Sequence, residues 1–136
     1  MRCVMKRLLI ALLLLSLCLS LVGCDRYYSS YSSIASVRSN TSDKAYISFM
    51  SLSGRMVFKL RPRERSVLTY EAELSEGSVT VSYDIDGTLT ELITLSDTDT
   101  RVGDGITVDK DLTVYIVVDA EDAKNGKITV SLKDIE

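Results

Sequence analysis

Hydrophobic and polar residues divide the chain into three stretches. An almost unbroken apolar run extends from Leu8 to Val22, and residues 25–44 follow with seven serines among twenty residues and no lasting apolar period. From Ala45 onward apolar and polar residues alternate, which is the period of a strand with one buried face. The pattern predicts a short apolar leader, a flexible tether and a folded domain over residues 45–136.

Four runs show the alternation most clearly: Leu68–Leu74, Val79–Ile85, Leu112–Val118 and Ile128–Leu132. In the third run Tyr115 and Val117 occupy the alternate positions, so that strand is apolar on both faces and is predicted to be central. Glycine-containing pairs separate the runs, and the strongest turn signal is Asp86-Gly87, because glycine accepts the positive φ of a tight hairpin. Further turns are predicted at Ser53-Gly54, Glu76-Gly77 and Asn125-Gly126.

Strands recur every 8–12 residues and no segment has a convincing helical period. This spacing predicts an all-β fold, an antiparallel, jelly-roll-like β-sandwich of seven or eight strands. The only proline, Pro62, falls in a basic connection between two predicted strands.

The apolar run has the features of a secretory signal peptide. Arg2, Lys6 and Arg7 precede it, and Gly23 supplies a small residue before a cleavage point. A run of 15 residues is short for a membrane span, which needs ~20. An uncleaved membrane helix and an ordinary signal peptide cut near the same place remain open alternatives.

The residues Leu21-Val22-Gly23-Cys24 resemble the lipobox of bacterial lipoproteins. The resemblance implies cleavage after residue 23, a diacylglycerol on the Cys24 thiol and usually a further palmitate-like chain on the new amino terminus. It also implies a lipid anchor that places the domain on the extracytoplasmic side of the cell membrane. Residues 1–23 are then the signal peptide and residues 24–44 the lipidated cysteine and its tether.

The folded region resembles a known kind of domain over about residues 45–134. The features that carry the resemblance are an aromatic opening strand, an Asp-x-Asp-Gly turn and a late apolar strand: Tyr46–Phe49, Asp84–Gly87 and Leu112–Val118. It is similar to small β-sandwich domains of bacterial lipoproteins and secreted proteins, loosely like pre-peptidase C-terminal domains. That resemblance implies an accessory or binding module.

Composition narrows the functional classes. From Cys24 onward the chain has 13 basic and 19 acidic residues, a net charge of −6, which argues against nucleic acid as a partner. Cys24 is the only cysteine of that segment, so no disulfide is possible within it. The chain has no histidine, which removes the commonest general base, and it has no nucleophile motif. No catalytic residues are therefore predicted.

Two charged groups are candidate binding sites. Asp97, Asp99 and Asp104 lie near glycines and suit a Ca²⁺ loop, because calcium takes six to eight oxygen ligands. The alternative is that these aspartates are ordinary turn residues. The second group is basic: Lys59, Arg61, Arg63 and Arg65 alternate along the chain.

If the basic group lies on a strand, its four side chains project together and would meet an anionic headgroup or a cell-wall polymer. The alternative is a solvated connection. Carbohydrate binding is not favoured, because the chain has no tryptophan and Tyr46, Tyr70 and Tyr83 sit at positions typical of a core.

The sequence thus predicts a membrane-anchored envelope lipoprotein that presents a non-catalytic β-sandwich binding module. Its predicted partners are the membrane, through the lipid, and an unidentified envelope protein. The alternative is a Ca²⁺-binding structural or sensing component that uses the acidic loops, in which case calcium is the only cofactor.

Overall fold

The computed structural model of the chain describes residues 2–22 and 27–135. One helix, α1, extends over Arg2–Val22, and no helix in the described residues is long and apolar enough to cross a membrane. Cys24 and the predicted cleavage point lie outside the described residues. Eight strands follow the helix: β1 Ser30–Ile34, β2 Val37–Asn40, β3 Lys44–Leu60, β4 Ser66–Leu74, β5 Glu76–Asp84, β6 Thr90–Ser96, β7 Asp99–Val108 and β8 Val114–Asp134.

The two longest strands, β3 and β8, form the centre of the fold. They pair antiparallel from Lys44 opposite Ser131 to Leu60 opposite Val114. Each shorter strand belongs to one half of this pair. We call sheet 1 the half with the order β2-β3-β8-β4-β7, and sheet 2 the half with the order β1-β3-β8-β5-β6.

The two sheets are one sheet folded over on itself. The register of β1 and β2 against β3 continues unchanged from Ser30 opposite Arg55 to Asn40 opposite Ala45. β4 and β5 likewise follow each other along β8, and β6 and β7 follow each other along β5 and β4. Five long antiparallel segments therefore all cross from one sheet to the other along a single line, which we call the bend line.

Positive φ angles mark the bend line in each of the five segments. The residues are Ala35, Gly54, Gly77 and Thr98, with Asp122 and Asn125 in β8. A left-handed residue turns the following chain out of the pleated plane, as it does in a β-bulge. At Gly77 a Cβ atom would overlap the backbone of Asp122 and Ala123, so glycine is required where two bent strands touch.

The inner faces of both sheets form one apolar core. On β3 the buried residues are Ala45, Ile47 and Phe49 in sheet 1, Leu52 next to the bend line, and Met56, Phe58 and Leu60 in sheet 2. On β8 the partners are again alternate residues, from Val114 to Leu132. Fully burying each large apolar side chain contributes about 1.5–3 kcal/mol. The prediction of an all-β, antiparallel sandwich of seven or eight strands is confirmed.

The segment predicted as a tether is partly structured. Residues 30–40 pair with β3 instead of lying free, so the sandwich begins at β1 and not at residue 45. The side chains of β1 and β2 are almost all exposed, and no apolar alternation announces these strands. Backbone hydrogen bonds to the neighbouring strand hold the segment, and a hydrophobicity pattern does not report such bonds.

Three predicted turns are also corrected. Asp86-Gly87 does connect β5 and β6, as predicted. Ser53-Gly54 and Asn125-Gly126 instead lie inside β3 and β8, and Glu76-Gly77 lies where β4 passes into β5. Each of these three pairs lies on the bend line. Their glycine or asparagine supplies a positive φ for a bend within a continuing strand and not for a reversal of the chain.

Candidate functional site: a polar groove on the outer face of sheet 1

The outer face of sheet 1 carries rows of mostly polar side chains in register. One row crosses all five strands, through Ser39, Tyr46, Thr129, Glu71 and Val102. The next row crosses from Ser48 through Lys127 and Glu73 to Thr100. These positions alternate with buried core residues, so the strand period itself directs them to solvent.

A groove of about 340 Å³ lies along these rows. Its walls come from β3, β8, β4 and β7: Lys44, Tyr46, Glu71, Ala72, Glu73, Thr100, Lys127 and Thr129. A second hollow of about 520 Å³ adjoins it toward the end of β8 and shares Glu71 and Thr129 with it. The two hollows therefore lie side by side on the outer face of sheet 1 across β3, β8, β4 and β7, and Tyr70 lines the second one.

Tyr46 is the aromatic residue that lines the groove itself. It is half-buried between the core residues Ala45 and Ile47, and the Lys127 Nζ lies 5.9 Å from the centre of its ring. The prediction that Tyr46 sits at a core position is therefore corrected: its neighbours point inward and its own ring lies on the outer face. Tyr70 and Tyr83, in contrast, pack against the core as predicted.

Charge is balanced within the groove. Lys44 and Lys127 lie on the β3 and β8 side, and Glu71 and Glu73 lie on β4. Thr100 and Thr129 add hydroxyl groups that both donate and accept hydrogen bonds. The groove therefore offers hydrogen-bond donors and acceptors without a strong net charge. Its electrostatic attraction for an anion or a cation is correspondingly weak.

The predicted calcium ligands are not brought together. Asp97 lies in the bend between β6 and β7, where its Oδ1 accepts a 2.6 Å hydrogen bond from the Gly77 N–H. Asp99 begins β7 and bonds Arg101 at 3.1 Å, which lowers the pKa of the Asp99 carboxyl from its ordinary value. Asp104 lies five residues further along the same strand, roughly 16 Å away at the usual rise of a strand.

Calcium requires its ligands at 2.3–2.6 Å from one ion. The predicted acidic loop is therefore a strand with one bend, and its length separates the three carboxylates. Among the described residues, no group of three or more acidic or cysteine side chains is arranged to hold a metal ion. Calcium binding by this set stays a prediction.

The predicted basic group is likewise divided. Only Lys59 belongs to a strand, while Arg61, Arg63 and Arg65 lie in the connection between β3 and β4. Lys59 lies over the Tyr115 ring and Arg65 lies 3.6 Å from Asp109, so these two cations already have partners. Arg61 and Arg63 line a hollow of about 310 Å³ with Asp43 and Asp134 nearby, which gives that hollow mixed charge.

The outer face of sheet 2 differs, because the chain before β1 packs onto it. The Tyr27 hydroxyl donates a 2.6 Å hydrogen bond to Asp84 Oδ2, and the Tyr27 ring meets the Tyr115 ring edge-on at 5.5 Å. Ser82 and Val117 belong to this outer face by register, yet both are buried. The face is therefore covered around Tyr27.

An ion pair lies beside this covered region. Arg55 bonds Asp119 through two nitrogens, at 2.7 and 3.1 Å. The hydrogen bond to Asp119 raises the pKa of Arg55 and outweighs the lowering effect of partial burial. A bidentate pair of this kind holds both side chains in a fixed orientation on the outer face.

No protein-family model matches the chain, and no curated protein matches it. Among solved structures, the chain is similar to a mutant of the family 29 carbohydrate-binding module CBM29-2 complexed with mannohexaose, at 15% identity and a TM-score of 0.38, over 78% of this chain and 90% of that one. A second mutant of the same module gives 14% identity and a TM-score of 0.37, over 78% and 84%.

The Podospora anserina GH26-CBM35 β-(1,4)-mannanase is also similar, at 9% identity and a TM-score of 0.42, over 79% of this chain and 28% of that one. These structural neighbours include carbohydrate-binding modules with β-sandwich folds. With TM-scores below 0.5, the similarity carries no argument about a ligand. The resemblances to lipoproteins and to pre-peptidase C-terminal domains stay predictions.

Proposed function

We propose that this chain is a lipid-anchored protein of the extracytoplasmic side of the cell membrane, and that its sandwich is a non-catalytic module that binds a polysaccharide of the envelope. The observation that carries the second part is the groove on sheet 1, where Tyr46 lies among lysine, glutamate and threonine side chains. The lipobox residues before Asp25 support the first part.

A sugar chain fits the chemistry of the groove. Each sugar unit presents hydroxyl groups that need both donors and acceptors, and Lys44, Lys127, Glu71 and Thr129 supply both kinds. The apolar face of a sugar ring packs against an aromatic ring, and Tyr46 supplies one. The balanced charge favours a neutral or zwitterionic polymer over a polyanion.

The groove lacks the arrangement that hydrolysis of such a polymer needs. A glycosidase uses one carboxyl group as a general acid, and burial in an apolar setting keeps that group protonated. Glu71 and Glu73 are both exposed on β4. Neither carboxyl group therefore has the apolar setting of a general acid, and the module we propose binds its ligand without cleaving it.

Affinity electrophoresis in gels that contain soluble glucan or mannan, together with sedimentation on purified cell-wall glycan, tests the binding. We expect at least one polymer to retain the protein, and Tyr46→Ala to weaken that binding about fivefold or more, as for a tyrosine that anchors an interface. The matched control is Tyr31→Ala, an exposed tyrosine of β1 in sheet 2. Equal loss in both variants, or no retention by any polymer, contradicts the proposal and favours the envelope protein partner.

Fractionation of cells tests the anchor. We expect the parent in the membrane fraction with a mass that includes acyl chains, and Cys24→Ala in the soluble fraction or unprocessed. Cys3 lies in helix α1 before the predicted cleavage point, so Cys3→Ala is the control. Processing and membrane retention of Cys24→Ala as in the parent refute the lipobox interpretation.

A further inference from the structure

The chain segment directly before β1 is bound to sheet 2. Asp84 is completely buried, and it accepts hydrogen bonds from the Tyr27 hydroxyl and from the Gly87 N–H, each at 2.6 Å. The Tyr27 ring packs on Tyr115, and the Ser29 hydroxyl accepts a 2.9 Å bond from the Val57 N–H. Residues 27–29 therefore belong to the folded domain and do not behave as a free linker.

This attachment leaves a very short connection to the predicted anchor. Only three peptide units separate Cys24 from Tyr27, and an extended chain spans at most ~3.3–3.6 Å per residue, so their Cα atoms lie within about 10 Å of each other. A free tether of twenty residues would instead reach on average ~25 Å. The acyl chains on Cys24 would thus be attached beside the outer face of sheet 2.

The surface around this point has the chemistry of a membrane interface. Tyr28, Tyr31 and Ile34 are exposed on the segment that leads through β1. Tyrosine is enriched where a membrane meets water, because its ring favours the headgroup region and its hydroxyl stays hydrated. Tyr31 and Ile34 lie three positions apart on β1 and so project to opposite faces of the strand, and only Ile34 shares the face of Ser30, which pairs with the outer-face residue Arg55. We call Tyr28 and Ile34 the membrane-facing surface.

We propose that the membrane-facing surface rests in the headgroup layer of the bilayer that holds the lipid anchor, and that the groove of sheet 1 consequently points away from the membrane. The partner is a lipid surface, and the inference rests on the proposed function because it takes Cys24 as lipidated. The domain is thereby held in one orientation, since Tyr27 is fixed to sheet 2 and the acyl chains are fixed to the bilayer.

The absence of tryptophan in the chain permits a direct test with single-tryptophan reporters. The full lipidated protein is reconstituted into phosphatidylethanolamine–phosphatidylglycerol vesicles whose acyl chains are brominated, so that only a tryptophan close to the bilayer is quenched. Tyr28→Trp reports on the membrane-facing surface. Val102→Trp, on the outer face of sheet 1, is the matched control, because residues 28 and 102 are 77% and 73% exposed.

We expect Tyr28→Trp to lose at least half of its emission and to shift to shorter wavelength, with Val102→Trp unchanged. Mass spectrometry of the same sample separates the two proposals. A missing acyl mass on Cys24 refutes the anchor and this inference with it. An acylated Cys24 with both reporters unquenched, or with both quenched equally, refutes only the fixed orientation.

Discussion

At the scale of single residues, the bend line depends on a few positions with positive φ. Asn125 and Asp122 belong to the residue types that tolerate this conformation, and Gly54 and Gly77 adopt it without strain. The exceptions are Ala35 and, because it is β-branched, the more strained Thr98. Its N–H donates a 3.0 Å hydrogen bond to the Ser75 carbonyl, which holds the strained residue in place.

Gly77→Ala should destabilise the domain by about 2 kcal/mol or more, because the new Cβ meets the Asp122 backbone and an alanine at positive φ is itself strained. Urea denaturation measures the change as a lower midpoint at constant slope. Gly105→Ala is the control, since its φ is ordinary and its nearest neighbour is the flexible end of Leu92. Equal midpoints for the two variants would show that the bend tolerates a side chain.

At the scale of elements, the edge of β3 beyond β1 is protected by side chains. The N–H and C=O of Lys59 bond the Asn40 side chain at 3.1 and 3.0 Å. The Val57 carbonyl accepts a hydrogen bond from Arg38, and the Arg38 guanidinium also lies 4.6 Å from the centre of the Phe58 ring. An open strand edge invites pairing with another chain, and these contacts occupy it.

Asn40→Ala should therefore cost about 1–2 kcal/mol, since it removes two hydrogen bonds to the Lys59 backbone and one to the Thr41 carbonyl at an exposed edge. It should also raise the tendency to aggregate, because the backbone N–H and C=O of Lys59 then lose the Asn40 side chain and can pair with another chain. Chemical denaturation and light scattering measure the two effects. Ser39→Ala, one residue earlier on the same strand, should match the parent in both measurements.

The alternation of apolar and polar residues along β8 predicts which face of the strand is buried. A charged side chain placed on that face tests the prediction. Val130 is 1% exposed between Ala45 and Tyr70, so Val130→Asp places an unpaired carboxylate in the core. We expect a loss of at least about 4 kcal/mol, which is most of the stability of a domain at the lower end of the ordinary range. Lys133→Asp, on the outer face of the same strand, should fold normally. A Val130→Asp variant that melts like the parent would mean the faces are reversed.

The strand faces could be predicted from the sequence because alternation is a local property of each strand. The bends could not, because glycine at residues 54 and 77 allows a positive φ but does not say whether the chain then reverses or continues. Only the long pairing of β3 with β8 determines whether the chain reverses or continues.

The groove was missed for the same reason: it requires the register that sets Tyr46 beside Thr129 and Thr129 beside Glu71. A local signal did exist. Tyr46 and Ser48 are two positions apart and therefore lie on the same, polar face of the strand, whereas Ile47 lies on the opposite face.

At the scale of the whole molecule, all five long segments pass through both sheets, and one core lies between them. Neither sheet can separate without breaking strands that also form the other, so the domain should unfold as one cooperative unit. From Cys24 onward the chain has a single cysteine, so no disulfide within that part assists it. Its stability therefore depends on the apolar core and on the continuous pairing of β3 with β8.

Calcium should leave this stability unchanged, because Asp97, Asp99 and Asp104 lie apart and the first two already bond Gly77 and Arg101. A thermal melt of the domain from Tyr27 onward, in millimolar Ca²⁺ and in chelator, should give equal midpoints. Binding at a hundred times the dissociation constant would contribute ~2.7 kcal/mol and raise the midpoint by several degrees. Such a rise would establish a calcium site in this part of the chain.

The unbroken passage of β3 and β8 through the bend line also has a mechanical consequence. If a polymer is held on sheet 1 while the acyl chains are attached beside sheet 2, tension between cell wall and membrane crosses the domain from one sheet to the other. In a sandwich built from two separate sheets, that load would fall on the packing between the sheets. Here it is carried along the covalent backbones of two continuous strands, so the domain is suited to act as a link under tension.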